Sequence, residues 1–242
     1  MLIVNATRKS ILSCLPCSDI VCEIGVDTGN YSEAILTNCN PKELHLIDPW
    51  IYIDDSSYEK DTINVSNVEK ENRFQFVLSR FSKNILNNQV RIHRGFSYDI
   101  LPTFPDEYFD WIYIDGMHTK DAVLVDLDLC YCKVKPNGFI LGHDYANHEL
   151  AKYMSFGVVE AVTEFTSYVP GCRLLAITLE AGWPSYVICK SNGEHVDKFI
   201  CKAIRRFNNP IDISDNLLKH INFFQKWFNI DGNKYVTCLY KR

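Results

Sequence analysis

The chain has 242 residues, of which 47% are hydrophobic and 13% aromatic, so it can bury a sizeable core and is not expected to be disordered. Its net charge of −5 gives no electrostatic reason to expect nucleic acid as a partner, because phosphate contacts need clustered Lys and Arg. Its apolar runs fall short of the roughly 20 residues of a membrane span, so we expect neither a membrane segment nor a signal peptide.

Short apolar runs alternate with helical patterns through the middle of the chain, which is typical of β-α-β units and a parallel sheet. The runs that we predict to be strands are, in chain order, 19–25, 43–47, 90–94, 109–114, 139–142, 173–179 and 186–190. Apolar spacings of three and four predict helices in 31–37, 68–86, 121–134 and 158–165. Asp126 lies off the apolar face that we assign to its helix, so we expect it to be solvated.

The tail of the chain differs in character. Apolar spacing predicts an amphipathic helix over 196–207, a second over 217–228 and a last strand over 234–240. We therefore expect a main domain over 1–190 and a C-terminal helical extension over 191–242 that packs on the same domain. This extension is also where a homo-oligomer could form its interface.

The ten cysteines are scattered through predicted strands and helices, which indicates reduced core packing and a cytoplasmic protein. Cys14 and Cys17 form a C-x-x-C. A redox or zinc site would need a thioredoxin-like context or a second cysteine pair, and the sequence has neither. We therefore predict no chemical role for this pair.

A glycine turn follows the first predicted strand, in the run EIGVDTG at 23–29. Glycines there permit positive φ and let a ligand approach the backbone closely. A nicotinamide dinucleotide site would carry G-x-G-x-x-G, whereas Asp27 stands in place of the middle glycine. A carboxylate would repel a pyrophosphate but suits a ligand with an ammonium and a sulfonium. The turn therefore favours S-adenosylmethionine over NAD, with Glu23, Gly25, Asp27 and Gly29 as binding residues.

Asp48 ends the second predicted strand, in LIDPW. An acidic residue at this point can accept hydrogen bonds from both ribose hydroxyls, and its spacing from Gly25 is that of one β-α-β unit. Taken alone, Asp48 could equally be a turn residue before Pro49. Together with the glycine turn, it is predicted to bind the cofactor.

The chain resembles the class I S-adenosylmethionine-dependent methyltransferases, and within them the sugar and small-molecule O-methyltransferases. The segments that carry the resemblance are VCEIGVDTGNYS, HLIDPW, RIHRGFSYDIL, DWIYIDGMHTKDAVLVDL, VKPNGFILGHDY and GVVEAVTEF. The resemblance implies a Rossmann-like, doubly wound α/β fold with a mostly parallel seven-stranded sheet whose last strand is antiparallel. It also implies that Phe96 and Ser97 lie near the adenine.

Polar side chains follow two neighbouring strands of the predicted sheet. The fourth strand ends in YIDGMH, with Asp115 and His118, and the fifth ends in GHDY, with His143 and Asp144. The carboxyl ends of adjacent parallel strands meet at the sheet edge where ligands bind. The four side chains should therefore lie beside the methyl donor, where Asp115 would also contact the cofactor. Carboxylates and imidazoles are a plausible ligand set for a divalent cation.

Metal-dependent O-methyltransferases of the catechol type carry acidic and amide ligands at the ends of these strands. The resemblance implies Asp115, His143 and Asp144 as ligands of Mg or Mn, and His118, three residues after the first ligand, as the catalytic base. His143 departs from the usual carboxylate. A metal-free site with His118 or His143 as the base therefore stays open.

The sequence thus predicts a methyltransferase that acts on a hydroxyl of a sugar (glycan or glycoside) or another small polyhydroxylated acceptor. The irregular segment 50–64 is long enough to be a lid, and 145–153 is a second candidate for the acceptor site. Two alternatives stay open. One is an NAD-dependent oxidoreductase, and the other is a catalytically inactive module that keeps the cofactor site.

Overall fold

The computed structural model describes residues 1–16, 19–180, 182–208, 210–218 and 220–241, so Cys17 of the C-x-x-C pair lies outside the described residues. The strands are β1 (Leu2–Val4), β2 (Ile20–Ile24), β3 (Glu43–Asp48), β4 (Val90–Arg94), β5 (Phe109–Ile114), β6 (Val134–Gly142), β7 (Arg173–Thr178), β8 (Tyr186–Cys189), β9 (Ile211–Asp212), β10 (Asn222–Ile230) and β11 (Asn233–Lys241). The α-helices are α1 (Arg8–Ile11), α2 (Asn30–Cys39), α3 (Asn67–Arg80), α4 (Ser82–Leu86), α5 (Ser97–Ile100), α6 (Lys120–Lys133), α7 (Glu149–Tyr153), α8 (Val158–Tyr168), α9 (Glu194–Arg206) and α10 (Asp215–Leu218).

Nine strands form one sheet in the order β4-β3-β2-β5-β6-β8-β7-β1-β9. The strands from β4 to β6 are parallel to one another, and β8 runs antiparallel to both β6 and β7. The predicted mostly parallel sheet with an antiparallel last strand is therefore confirmed. The predicted number of seven strands is wrong, because β1 and β9 extend the sheet beyond β7. With three and two residues, these two strands are too short for a hydrophobic period to reveal them.

Helices cover both faces of the sheet, as a doubly wound fold requires. Apolar residues of α2, α3 and α9 share a core with Trp111 and Tyr113 on one face of β5. On the other face, residues of α6 and α8 pack with Ile112 and Ile114. The strand order reverses between β2 and β5, and ligands of open α/β folds bind outside the carboxyl ends of the strands at such a point.

The C-terminal tail is only partly helical. The first predicted helix is confirmed as α9, but the second, over 217–228, is wrong, because most of that segment belongs to β10. β10 pairs antiparallel with β11 in a separate hairpin, and the turn is formed by Asp231 and Gly232, both with positive φ. Asp-Gly is a strong hairpin signal, and the aromatic residues of β10 favour a strand. The tail is thus a helix followed by a hairpin.

Within the described residues, no helix combines the length and the apolar character needed to cross a bilayer.

A buried histidine on β3, His45, pairs with the half-buried His93 on β4, away from the carboxyl ends of β2 and β5. His45 Nδ1 lies 3.0 Å from His93 Nε2, and the two rings are stacked. Burial lowers the pKa of His45 to about 4, and His93 and Arg91 act in the same direction, while Glu43 opposes them. Burial also lowers the pKa of His93, and Arg91 acts in the same direction, so both imidazoles are uncharged at neutral pH.

We predict that acid destabilises the protein through this pair. As the pH falls from 6.5 towards 4, the unfolded chain takes up a proton on His45 and the folded chain does not, so stability present above pH 6.5 is lost. The loss is about 2–3 kcal/mol, since each pKa unit corresponds to about 1.4 kcal/mol. Urea unfolding at pH 7.5 and 4.5 should show a smaller loss for His45→Leu than for the wild type. An equal loss in both proteins would contradict this role, and exposed His220→Asn serves as the matched control.

Candidate active site

A cavity of about 470 Å³ lies outside the carboxyl ends of β2, β3, β4 and β5, and we call it the larger cavity. Six of the predicted cofactor-binding residues line it: Gly25, Asp27, Asp48, Phe96, Ser97 and Asp115. Apolar side chains form much of the remaining wall, including Ile24, Ile47, Ile51, Ile53, Ile63 and Val125. The structure therefore brings most of the predicted cofactor-binding residues to one cavity at the switch point of the sheet.

Gly25 is required at the end of β2 by geometry. Its φ is +83°, and a Cβ placed there would lie 1.9 Å from the carbonyl oxygen of Asp115. Its amide donates to the carbonyl of Ile47, 2.9 Å away. Only a residue without a side chain lets the backbones of β2 and β5 approach this closely.

Asp48 holds the glycine turn through its carboxylate. One oxygen accepts hydrogen bonds from the amides of Val26 and Asp27, at 2.9 and 3.0 Å, and the other accepts from the amide of Trp50 at 2.7 Å. Burial raises the pKa of Asp48, and these backbone hydrogen bonds oppose the rise. Asp48 thus shapes the loop around the larger cavity, and its contact with a ribose stays a prediction.

Asp27 is already paired with a cation. Its carboxylate accepts from Arg73 Nη1 on α3, and its carbonyl accepts from the indole of Trp50 at 2.8 Å. The prediction of a cationic ligand assumes that the charge of Asp27 is free to attract it. In the structure, Arg73 balances much of that charge, so the preference for a sulfonium ligand has less electrostatic support from Asp27 than the sequence suggested.

Glu23 and Gly29, the other two predicted cofactor-binding residues, do not line the larger cavity. Ser32 donates to the buried carboxyl of Glu23 at 2.5 Å, and burial raises the pKa of Glu23 to about 8. Glu23 is therefore largely protonated at neutral pH. Gly29 has a φ of +75° and packs against the ring of Phe81, so it mainly allows the turn into α2.

Asp126 is a site residue that the sequence analysis placed wrongly in solvent. It is buried, it lines the larger cavity, and its carboxylate accepts from the hydroxyl of Ser97. Burial raises its pKa to about 6. The helical spacing indicates this burial, because Asp126 lies three residues after the buried Val123 and four before the buried Cys130.

A second cavity of about 430 Å³, the smaller cavity, adjoins the first. Four residues line both cavities: Gly25, Asp27, Ile63 and Asp115. The smaller cavity also holds the predicted residues Glu23, His118, His143 and Asp144. Its opposite wall is apolar and is formed by Leu150, Met154, Phe156 and Trp183.

His118 lies at the centre of a carboxylate cluster. Its Nε2 is 2.9 Å from Asp144 Oδ2 and 3.5 Å from Asp115 Oδ1, and its Nδ1 is 3.3 Å from Asp61 Oδ2. Burial alone would lower the pKa of His118, but the three carboxylates outweigh it and raise the pKa well above the usual range. His118 therefore carries a proton at neutral pH when only these residues surround it.

His143 contacts the same carboxylates from another side. Its Nδ1 is 3.2 Å from Asp144 Oδ1 and 3.7 Å from Asp115 Oδ1. Burial opposes the charged form, yet the two carboxylates outweigh burial and raise the pKa of His143. Conversely, His118 and His143 overcome the effect of burial on Asp144 and lower its pKa far below the usual range.

Among the described residues, the acidic and histidine side chains spaced to hold one metal ion are Asp115, His118 and Asp144, whose ligand atoms lie within 4.8 Å of one another. The predicted ligand set is Asp115, His143 and Asp144, so it differs at the histidine. Both histidines contact the same carboxylates. His118, rather than the predicted His143, has the spacing of a metal ligand.

Arg8 and Asp61 complete the cluster, and the sequence analysis named neither. Arg8 Nη1 on α1 donates to Asp115 Oδ2 at 2.8 Å, and its guanidinium lies over the ring of Tyr31. Asp61 reaches His118 from the predicted lid segment. These contacts join residues that are 107 and 57 positions apart in the chain, so no local pattern indicates them.

Comparison with known proteins agrees with this architecture. A family model described as "Methyltransferase domain" matches residues 22–145, just over half of the chain. No curated protein matches the chain in sequence. Among solved structures, spermidine synthase from Thermotoga maritima is similar, with a TM-score of 0.53 and 15% identity over 87% of this chain. The N-methyltransferase NodS from Bradyrhizobium japonicum WM9, in complex with S-adenosyl-L-homocysteine, has a TM-score of 0.50 and 12% identity over 74% of this chain.

The matched length differs between these two structures. The chain spans 66% of the spermidine synthase chain and 82% of the NodS chain. At these identities the likeness shows the fold. The family match covers β2 to β6 and both strand ends that carry the site. The chain therefore belongs to the methyltransferase-domain family, within the class I S-adenosylmethionine-dependent methyltransferases.

Proposed function

We propose that the protein transfers the methyl group of S-adenosylmethionine to a hydroxyl of a sugar or another small polyhydroxylated acceptor, assisted by a divalent cation. The observation that carries this proposal is the junction of the two cavities at Gly25 and Asp115. A donor in the larger cavity and an acceptor in the smaller cavity would meet at this junction. The family match favours methyl transfer over the NAD-dependent alternative.

The larger cavity suits the adenosine part of the donor. Phe96 stacks on Tyr98 and offers an aromatic face for a purine, and Ser97 is fixed beside it by Asp126. The methionine part would extend along the glycine turn towards Glu23. Because Glu23 is largely protonated at neutral pH, it would act there as a hydrogen-bonding group.

The smaller cavity suits a ring with hydroxyl groups. Phe156 lies with its ring centroid 4.4 Å from that of His118 and 5.4 Å from that of Trp183. A sugar could place its C–H face on this aromatic wall and turn its hydroxyls towards Asp115 and Asp144. Pockets of this kind combine an apolar wall with a few placed polar groups.

The residues fit a divalent cation. Nε2 of buried His118 has no well-aligned hydrogen bond, although it faces Asp144 and Asp115. Two carboxylates and one imidazole nitrogen at this spacing are suitable ligands for Mn²⁺, and for Mg²⁺ through the carboxylates. A bound cation would hold two neighbouring acceptor oxygens and lower the pKa of one of them.

The geometry favours an exchange of the two histidine roles that the sequence suggested. If Nε2 of His118 is a ligand, that nitrogen cannot also remove a proton. His143 then remains as the imidazole that could accept the acceptor's proton, with Asp144 balancing the charge it gains. Once deprotonated, the acceptor oxygen would attack the methyl carbon in line with the departing sulfur, and most of the acceleration would come from alignment.

Methyl transfer from isotopically labelled S-adenosylmethionine to a panel of monosaccharides, glycosides, catechols and amines tests this proposal. We expect label in hydroxylated ring compounds, loss of transfer in EDTA and recovery with Mn²⁺ or Mg²⁺. Full activity in EDTA would remove the cation from the mechanism. Transfer to amines alone would contradict O-methylation, and tight cofactor binding without any transfer would favour the inactive module.

Cytoplasmic location and association through the C-terminal tail stay predictions. The free thiols of Cys22, Cys130 and Cys189, all buried in the core, support a reducing compartment.

A further inference from the structure

Residues 51–66, which we call the lid loop, cover both cavities without forming a helix or a strand. Asn64 closes the loop on itself, because its side chain accepts from the amide of Ile53 at 2.9 Å and donates to the carbonyl of Ile53 at 2.8 Å. The lid loop therefore forms one compact unit between β3 and α3.

The lid loop places one carboxylate inside the catalytic cluster. Asp61 is 4% exposed, and its Oδ2 lies 3.3 Å from His118 Nδ1. Its other oxygen accepts from the amide of Ile63 at 3.0 Å, which fixes the direction of the carboxylate. Burying an unpaired carboxylate costs free energy, so the contact of Asp61 with His118 stabilises the position of the loop.

The ring of His118 depends on this contact for its orientation. A carboxylate on one imidazole nitrogen fixes the plane of the ring and so directs the opposite nitrogen. Here the opposite nitrogen, Nε2, faces Asp144 and Asp115. Without Asp61, the ring could turn about its side-chain bonds and lose this alignment.

The same loop forms a wall of the larger cavity. Ile51, Ile53, Tyr58 and Ile63 line that cavity, and Ile63 lines the smaller cavity as well. A ligand in the larger cavity would bury these side chains further and stabilise the loop in the position that it has in the structure. By linkage, whatever stabilises this loop position also stabilises the contact between Asp61 and His118.

We infer that Asp61 is a positioning residue, carried by the lid loop, that orients His118 when the donor occupies the larger cavity. This inference rests on the proposed function, because that function makes His118 part of the catalytic site. The effect of cofactor binding on the orientation of the His118 ring does not require an acceptor. Donor binding would thus complete the acceptor site before methyl transfer.

The coupling is tested with the whole protein and S-adenosyl-L-homocysteine as the probe. In protein labelled with nitrogen-15 histidine, the Nδ1 proton of His118, assigned by its loss in His118→Gln, should become more strongly protected from exchange when the probe is added. This gain in protection should be absent in Asp61→Asn and retained in Asp54→Asn, which changes an exposed carboxyl of the same loop. Equal protection in Asp61→Asn would overturn the inference, whether or not an acceptor is known.

A kinetic readout separates positioning from simple folding. Asp61→Asn should lower kcat about 10- to 100-fold, with the acceptor KM and the affinity for S-adenosyl-L-homocysteine changed less than about threefold. Asp61→Glu, which restores the carboxylate, should recover part of kcat. An unchanged kcat, or a loss confined to cofactor affinity and stability, would overturn the role of Asp61. A failure of the wild type to methylate any hydroxyl would instead count against the proposed function.

Discussion

Asp144→Asn is expected to slow methyl transfer by a factor of about 10² to 10³ while the affinity for S-adenosyl-L-homocysteine stays nearly unchanged. Asp144 contacts both His118 and His143, at 2.9 and 3.2 Å, and it does not line the larger cavity. The amide keeps the volume of the side chain but removes the charge that holds both imidazoles. The effect should therefore fall on kcat, measured with an acceptor found in the panel above.

The matched control for Asp144 is Asp128→Asn, an exposed carboxyl on α6 whose partner is Tyr168. It should keep wild-type turnover. Because Asp61 and Asp115 still balance His118, the Asp144 variant should stay folded, and urea unfolding measured in parallel checks this. Wild-type turnover in Asp144→Asn, or a loss of cofactor affinity as large as the loss of rate, would contradict our assignment.

Gly25→Ala is expected to abolish cofactor binding and to lower the free energy of unfolding by about 3 kcal/mol or more. The added methyl group would lie 1.9 Å from the carbonyl oxygen of Asp115, so β2 and β5 would have to separate at the junction of the two cavities. The positive φ of +83° adds a further cost of about 1–2 kcal/mol for any residue with a Cβ.

Gly171→Ala carries the cost of the backbone conformation without the steric clash, so it separates the two parts of this effect. Gly171 has nearly the same φ, +80°, but the nearest atom to an added Cβ is 3.6 Å away. We expect this variant to lose only about 1–2 kcal/mol, from the backbone conformation, and to bind S-adenosyl-L-homocysteine normally. If urea unfolding gives the same loss for both variants, the close approach of β2 and β5 at Gly25 is not what requires glycine there.

The sequence predicted the features of the fold that depend on local pattern. The alternation of apolar runs and helical spacing gave the parallel sheet, and the strand ends at Asp115 and Asp144 were correctly expected to meet, because adjacent parallel strands share one edge. The glycine turn was equally visible, since a strand, a glycine and a helix follow one another directly.

The contacts that complete the site could not be predicted from the sequence, because they join distant segments. Arg8 lies in a short helix near the N-terminus, and Asp61 lies in a loop without a period, so neither pattern indicates what the side chain contacts. Arg73 on α3 likewise pairs with Asp27 and reduces the negative charge that Asp27 offers to a ligand.

Two predictions, the solvated Asp126 and the helix over 217–228, were wrong although the sequence contained a pattern that indicates the observed structure. The buried Asp126 fits the spacing of its apolar neighbours, yet a carboxylate is usually solvated, and the hydroxyl of Ser97 that pairs with it comes from another segment. In the tail, the apolar spacing over 217–228 is compatible with a helix and led to the wrong prediction. The Asp231-Gly232 pair in the same tail indicates the hairpin that the structure contains.

Calorimetry of the wild-type protein with S-adenosyl-L-homocysteine and NAD, side by side, tests the central claim that the larger cavity binds the methyl donor. We predict saturable one-to-one binding of S-adenosyl-L-homocysteine that is lost in Gly25→Ala, and no measurable heat with NAD. Tight binding of NAD without binding of S-adenosyl-L-homocysteine would contradict the account.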